Sequence, residues 1–174
     1  MKLLGISGSL RAGSFNTQLV QLAGAEFGGD FTLADLNLPL YSGDIEAQGI
    51  PAGVQTLATQ IAAADAVVIA TPEYNKALSG VLKNALDWVS RTDGNPWAGK
   101  PVAILSGTAG RTGGEMAVAS LRLALAPFNP DVLNGPNVLV ASVHAELENG
   151  ALVSDRYKAN LTDLIKALRA KIGA

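Results

Sequence analysis

Cysteine is absent from this chain of 174 residues, histidine occurs once, and aromatic residues make up 5%. Without a thiol there is no disulfide, no thiolate metal site and no thiol redox chemistry, so any redox role must rest on a bound cofactor. The same absence makes the cytoplasm the expected compartment. Charge is also sparse, at 16% with a net charge of −2 and no basic run. That composition provides neither a surface that tracks nucleic-acid phosphates nor attraction to anionic lipid. Long apolar runs are missing too: Ala66 to Ala70 and Val138 to Ala141 fall far short of the roughly 20 residues that cross a bilayer. The apolar start, Met1 to Ile6, meets Ser7-Gly8-Ser9 before it could act as the apolar stretch of a signal segment, and suits a first strand. Small molecules and copies of this chain are the expected partners.

Hydrophobic residues, in contrast, reach 48%, enough to bury a sizeable core, and the length suits a single domain over residues 1–174. Short β-rich runs alternate with longer segments of helical period, the signature of βαβ units and a parallel sheet. Strands are expected at Lys2 to Gly8, Phe31 to Leu36, Ala66 to Thr71, Pro101 to Ser106 and Asn137 to Ser142. Helices are expected at Ser14 to Phe27, Pro51 to Ala64, Ser79 to Arg91, Gly113 to Ala126 and Ser154 to Ile172. In the last, Tyr157, Leu161, Leu164, Ile165 and Leu168 fall on one stripe. Stretches 41–53, 92–100 and 127–136, rich in glycine and proline, are expected as connections. Five such units predict an α/β, flavodoxin-like, doubly wound sheet of order 2-1-3-4-5 with helices on both faces. In that order, ligands sit beyond the carboxyl ends of the strands where strands 1 and 3 diverge.

The loops after strands 1, 3 and 4 are therefore the candidate site. The first, Gly8-Ser9-Leu10-Arg11-Ala12-Gly13-Ser14-Phe15-Asn16-Thr17, sets hydroxyls, glycines, an amide and an arginine before a helix N-terminus. Backbone N–H groups, neutral side-chain donors and a guanidinium fork together suit a phosphate. Gly8 and Gly13 have Walker A spacing, but Ser14-Phe15 replaces the required Lys-Ser/Thr, which excludes a nucleotide triphosphatase of that type. No G-x-G-x-x-G occurs there, so a tightly held NAD is not indicated, and a terminal monophosphate fits better. The second loop, Thr71 to Gly80, offers Tyr74 as an aromatic wall and Asn75 with backbone amides as polar contacts for a flat ring. The third, Ser106 to Glu115, is glycine-rich and lets backbone approach a ring edge. Arg111 in it is a candidate for the extra phosphate of NADPH. His144 is expected to be a structural or surface group, and no residue is needed as nucleophile or metal ligand.

These segments resemble the NADPH-dependent FMN reductase family of flavodoxin-like quinone, chromate and azo-dye reductases. Gly8-Ser9-Leu10-Arg11-x-x-Ser14-x-Asn16 resembles the family's phosphate loop. Pro72-Glu73-Tyr74-Asn75, continuing to Leu82-Lys83-Asn84-Ala85-Leu86-Asp87-Trp88, resembles its ring loop and following helix. By that resemblance, Ser9, Arg11, Ser14, Asn16 and Thr17 bind the FMN phosphate, and Pro72, Glu73, Tyr74 and Asn75 with Ser106, Gly107 and Gly110 bind the ring. The resemblance further implies NADPH or NADH as co-substrate, a small-molecule electron acceptor, and self-association as a dimer or tetramer. Two rival readings remain: a flavodoxin-type electron carrier, and a flavin-binding regulator without turnover.

Overall fold

The structure is a computed structural model and describes residues 1–173. Strand β1 (Lys2–Ser7) lies between β2 (Asp30–Leu33) and β3 (Ala66–Ala70), and β3 pairs on its other side with β4 (Pro101–Gly107); every pairing is parallel. The fifth position holds two short strands. β5 (Asp131–Val132) pairs with the start of β4, and β6 (Val138–Val140) with its end. The order β2-β1-β3-β4-β5 is the flavodoxin-like order expected from the alternation of elements.

Helices α1 (Phe15–Phe27) and α7 (Asp155–Lys171) cover one face, where Leu19, Phe27, Leu161 and Ile165 meet Leu3, Val68 and Leu105 of the strands. Helices α3 (Ala52–Ala63), α4 (Gly80–Val89) and α5 (Glu115–Leu125) cover the other, where Ile61, Leu86 and Leu121 meet Leu4, Ile69 and Ile104. Alternate strand residues thus feed two cores, which is why β3 is buried at all five positions and contains no polar residue. Each fully buried Leu or Ile contributes about 1.5–3 kcal/mol relative to exposure. The expected α7 stripe, Tyr157 to Leu168, is buried throughout. Between β1 and α1, Gly5 and Gly24 make room for Phe31: a Cβ on either would lie 2.4–2.6 Å from a neighbouring side chain.

The fifth strand departs from the expected single segment at 137–142. Asp131-Val132, placed by sequence in a connection, joins the sheet, after which the chain leaves it and returns at Val138. Gly135-Pro136 lies in the gap, where proline has no N–H to give a ladder. Three further elements were not anticipated: α2 (Gly43–Glu46), α6 (Val143–Glu146) and a hairpin of β7 (Leu147–Glu148) and β8 (Ala151–Leu152). The hairpin turns at Asn149-Gly150, both at positive φ (51° and 78°), as its tight turn requires.

Candidate active site

Strand register brings the three candidate loops together. Ser7 stands beside Ala70 and Gly107 beside Val140, so the chain leaves β1, β3, β4 and β6 at one edge of the sheet. In the first loop Gly8 N–H donates to Ala70 O at 2.8 Å. A Cβ on Gly8 would lie 2.8 Å from Ser79 Oγ, so the backbone passes directly against the second loop. Ser14 caps α1, its Oγ accepting from Thr17 N–H at 3.3 Å. The N–H groups of Phe15 and Asn16 begin the helix without backbone partners among the described residues. The exposed guanidinium of Arg11 lies 5.4 Å from the Phe15 ring centroid.

Asn16 is buried and joins two loops. Its Nδ2 donates to Gly107 O at 2.9 Å, and its Oδ1 accepts from Gly107 N–H at 3.0 Å. Thr17 is paired with Ser7, hydroxyl to hydroxyl at 2.7 Å. Ser106 is fully buried and donates from Oγ to Thr71 O at 2.6 Å, fixing the third loop to the second. Gly114 at φ 91° explains one glycine of the third loop: a Cβ there would lie 1.9 Å from Ser106 Oγ.

In the second loop Tyr74 and Ala77 exchange backbone hydrogen bonds of 3.1 Å around Asn75 and Lys76, whose φ values of 51° and 64° close a tight turn. Tyr74 is 57% exposed. Glu73 turns away to cap α5: Oε2 accepts from the N–H groups of Met116 and Ala117 at 3.1 and 3.2 Å, and Lys76 Nζ stands 3.6 Å from Oε1.

Between these loops lies a cleft of about 320 Å³. Ser9, Arg11, Ser14 and Asn16 line it from the first loop, Pro72, Glu73 and Tyr74 from the second, and Gly107 from the third. Thr17, Asn75, Ser106 and Gly110 are not among its walls. Thr17 borders a smaller neighbouring hollow with Ser9, Arg11 and Asp35. The cleft also takes in Phe15, Thr108 and Ala109 of the candidate loops, which were not singled out as contacts, and Val143 and His144, which sequence reading left outside it. His144 arrives through the turn after β6, whose position depended on the divided fifth strand. The site thus joins an end made of helix N–H groups, serine hydroxyls and a guanidinium, all donors, to a flatter end of proline, tyrosine and glycine-rich backbone.

Residues 1–145 match the family described as NADPH-dependent FMN reductase. The chain belongs to that family. An NAD(P)H-dependent FMN reductase of Pseudomonas aeruginosa is 42% identical over 173 residues, covering 97% of this chain and 94% of that one. A 2-hydroxy-1,4-benzoquinone reductase of a Burkholderia species is 40% identical over 162 residues, 89% of this chain and 87% of its own. Among solved structures, the flavoenzyme NAD(P)H:(acceptor) oxidoreductase FerB of Paracoccus denitrificans superposes with a TM-score of 0.89 at 29% identity. That likeness covers 99% of this chain and 97% of the other.

Proposed function

We propose that this cleft binds FMN and that the chain passes electrons from NADPH or NADH to quinones or similar small acceptors. The carrying observation is the pairing, in one cleft, of neutral phosphate donors at a helix N-terminus with an aromatic and glycine-lined flat end. The donor set fits FMN. Ser9 and Ser14 hydroxyls and the first-turn N–H groups of α1 suit a terminal monophosphate, and Arg11 has a guanidinium free to turn from Phe15 to its oxygens. Pro72 and Tyr74 would hold the ring from the second loop, and the Gly107–Ala109 backbone from the third. FMN, when bound, supplies the capacity to accept and donate a hydride.

The protein orients and holds. Asn16, Ser106 and Glu73 act within this reading as braces, fixing the loops to one another and to α5. Tyr74, exposed on the ring loop, offers a face against which a planar substrate stacks. The relative named as a benzoquinone reductase supports quinones as the acceptor class. We further propose a single cytoplasmic domain that self-associates as a dimer or tetramer; Leu40 at 80% exposure and neighbouring Tyr41, held edge-on against the buried Trp88, provide a surface suited to it.

The reading is tested by titrating the purified protein with FMN and riboflavin, then adding NADPH without oxygen. Tighter binding of FMN and bleaching of its visible absorption by NADPH alone are expected. Equal affinity for riboflavin, or absorption that persists until an acceptor is added, would overturn it.

A further inference from the structure

His144, the one histidine of the chain, lies second in α6 and lines the cleft together with Arg11, Tyr74 and Thr108. The turn that presents it is pinned on several sides. Val143 N–H donates to Thr108 O at 2.9 Å, Ser142 N–H to Gly110 O at 3.1 Å, and Ala141 N–H to Tyr157 Oη at 3.0 Å. Ser142 has φ 47°, a left-handed conformation that a serine keeps only where its surroundings dictate it. Val143 packs so closely on the third loop that a Cβ on Gly107 would lie 2.9 Å from it. This construction places the imidazole in the wall of the cleft while leaving it exposed to water.

The other charged or titratable groups in that wall are committed. Arg11 has no proton to give. The Glu73 carboxylate is engaged by the N–H groups of Met116 and Ala117 and faced by Lys76. The Tyr74 ring is taken up as the stacking face of the cleft. Glu146 on the same short helix and Arg111 on the third loop stand outside the lining. An imidazole is the side chain that exchanges protons near neutral pH.

Quinone reduction needs such a group, because quinone, NAD(P)H and one proton give hydroquinone and NAD(P)+. The hydride's electron pair opens one carbonyl and leaves a negatively charged oxygen. We propose that the His144 imidazolium gives its proton to that oxygen. An O–H bond forms as an N–H bond breaks, and the neutral imidazole regains a proton from water at its exposed side. This rests on the cleft being an FMN-dependent quinone-reducing site.

Two measurements test it. Because the chain has one histidine, the imidazole C2–H proton is a single NMR resonance in FMN-loaded protein. Resorcinol, which carries two ring hydroxyls but cannot become a quinone, should shift it saturably, and no shift would overturn the proposal. This measurement uses wild-type protein and stands however a variant folds. Ferricyanide accepts one electron and no proton, so His144→Gln should lower the ratio of quinone to ferricyanide turnover by about a hundredfold. An unchanged ratio removes the proton-donor role while leaving the flavin reading intact. Failure of NADPH to bleach FMN in wild-type protein would bring down both.

Discussion

Arg11, Asn16 and Gly114 each have one physical job that a single substitution isolates. Arg11→Ala removes the charge-assisted contact proposed to the phosphate, worth about 1.5–3 kcal/mol, so FMN should bind roughly ten- to a hundredfold more weakly in a fluorescence titration, with the circular dichroism unchanged. Asn16→Leu strands the buried N–H and C=O of Gly107 and should cost about 2–5 kcal/mol in denaturant unfolding. Asn16→Asp keeps an acceptor for Gly107 N–H but sets a charge where the phosphate is proposed to sit, so FMN affinity should suffer beyond any loss of stability. Gly114→Ala cannot fit while Ser106 keeps its bond to Thr71, and should destabilise by about 3 kcal/mol or more. Sequence reading singled out Arg11 and Asn16 by residue type as phosphate contacts and took Gly114 only as part of a glycine-rich loop, without foreseeing that Asn16 also braces a second loop. Its bond to Gly107 joins residues 91 apart, and only the register of β1 beside β3 and β4 brings them together.

At the level of elements, the segment after β2 is clamped onto α4 by side chains distant in sequence. Asn84 donates to Pro39 O and accepts from Tyr41 N–H, Trp88 Nε1 donates to Pro39 O at 2.7 Å, and Glu46 accepts from both Tyr41 Oη and Arg91 Nε at 2.8 Å. The Tyr41 hydroxyl, followed by Arg91, holds the Glu46 carboxyl below its ordinary value of 4.5. The bond to Glu46 holds the Tyr41 phenol above 10.0. A depressed carboxyl stabilises the fold above its unfolded value and loses that contribution as pH falls through the folded one. A raised phenol stabilises below its unfolded value and loses its contribution as pH rises through the folded one. Melting temperatures of wild type and Glu46→Gln should therefore converge in acid, below the ordinary carboxylate range, and differ at neutral pH. Curves that stay parallel throughout would show that the clamp has no linkage to Glu46. Alternation of short strands and amphipathic helices made α1, α3, α4, α5 and α7 legible in advance, because their periodicity is written locally. The divided fifth strand was not legible, since Asp131-Val132 is two residues long and defined by its partner Pro101-Val102 rather than by any pattern of its own. The β7–β8 hairpin did carry a local signal, Asn149-Gly150, between segments too short to stand out as strands.

For the molecule as a whole, one cleft serves both substrates in the proposed reading. With three loops and four strand ends committed to its walls, nicotinamide and acceptor have to take turns, and double-reciprocal plots at several fixed acceptor concentrations should be parallel. Intersecting lines would mean that both bind at once. Light scattering at micromolar concentration should give a multiple of the 17.8 kDa chain mass, as the exposed Leu40 surface beside α4 implies; a monomer mass would remove that role. The divided fifth strand bears on a different property, resistance to aggregation. A sheet edge recruits foreign chains by offering a long, regular row of free N–H and C=O groups. Here that border is broken into pieces of two and three residues with Gly135-Pro136 between them, and neither piece is long enough to template an added strand. The border formed by β5 and β6 thus offers no continuous template for fibre-like growth, without needing a row of edge charges.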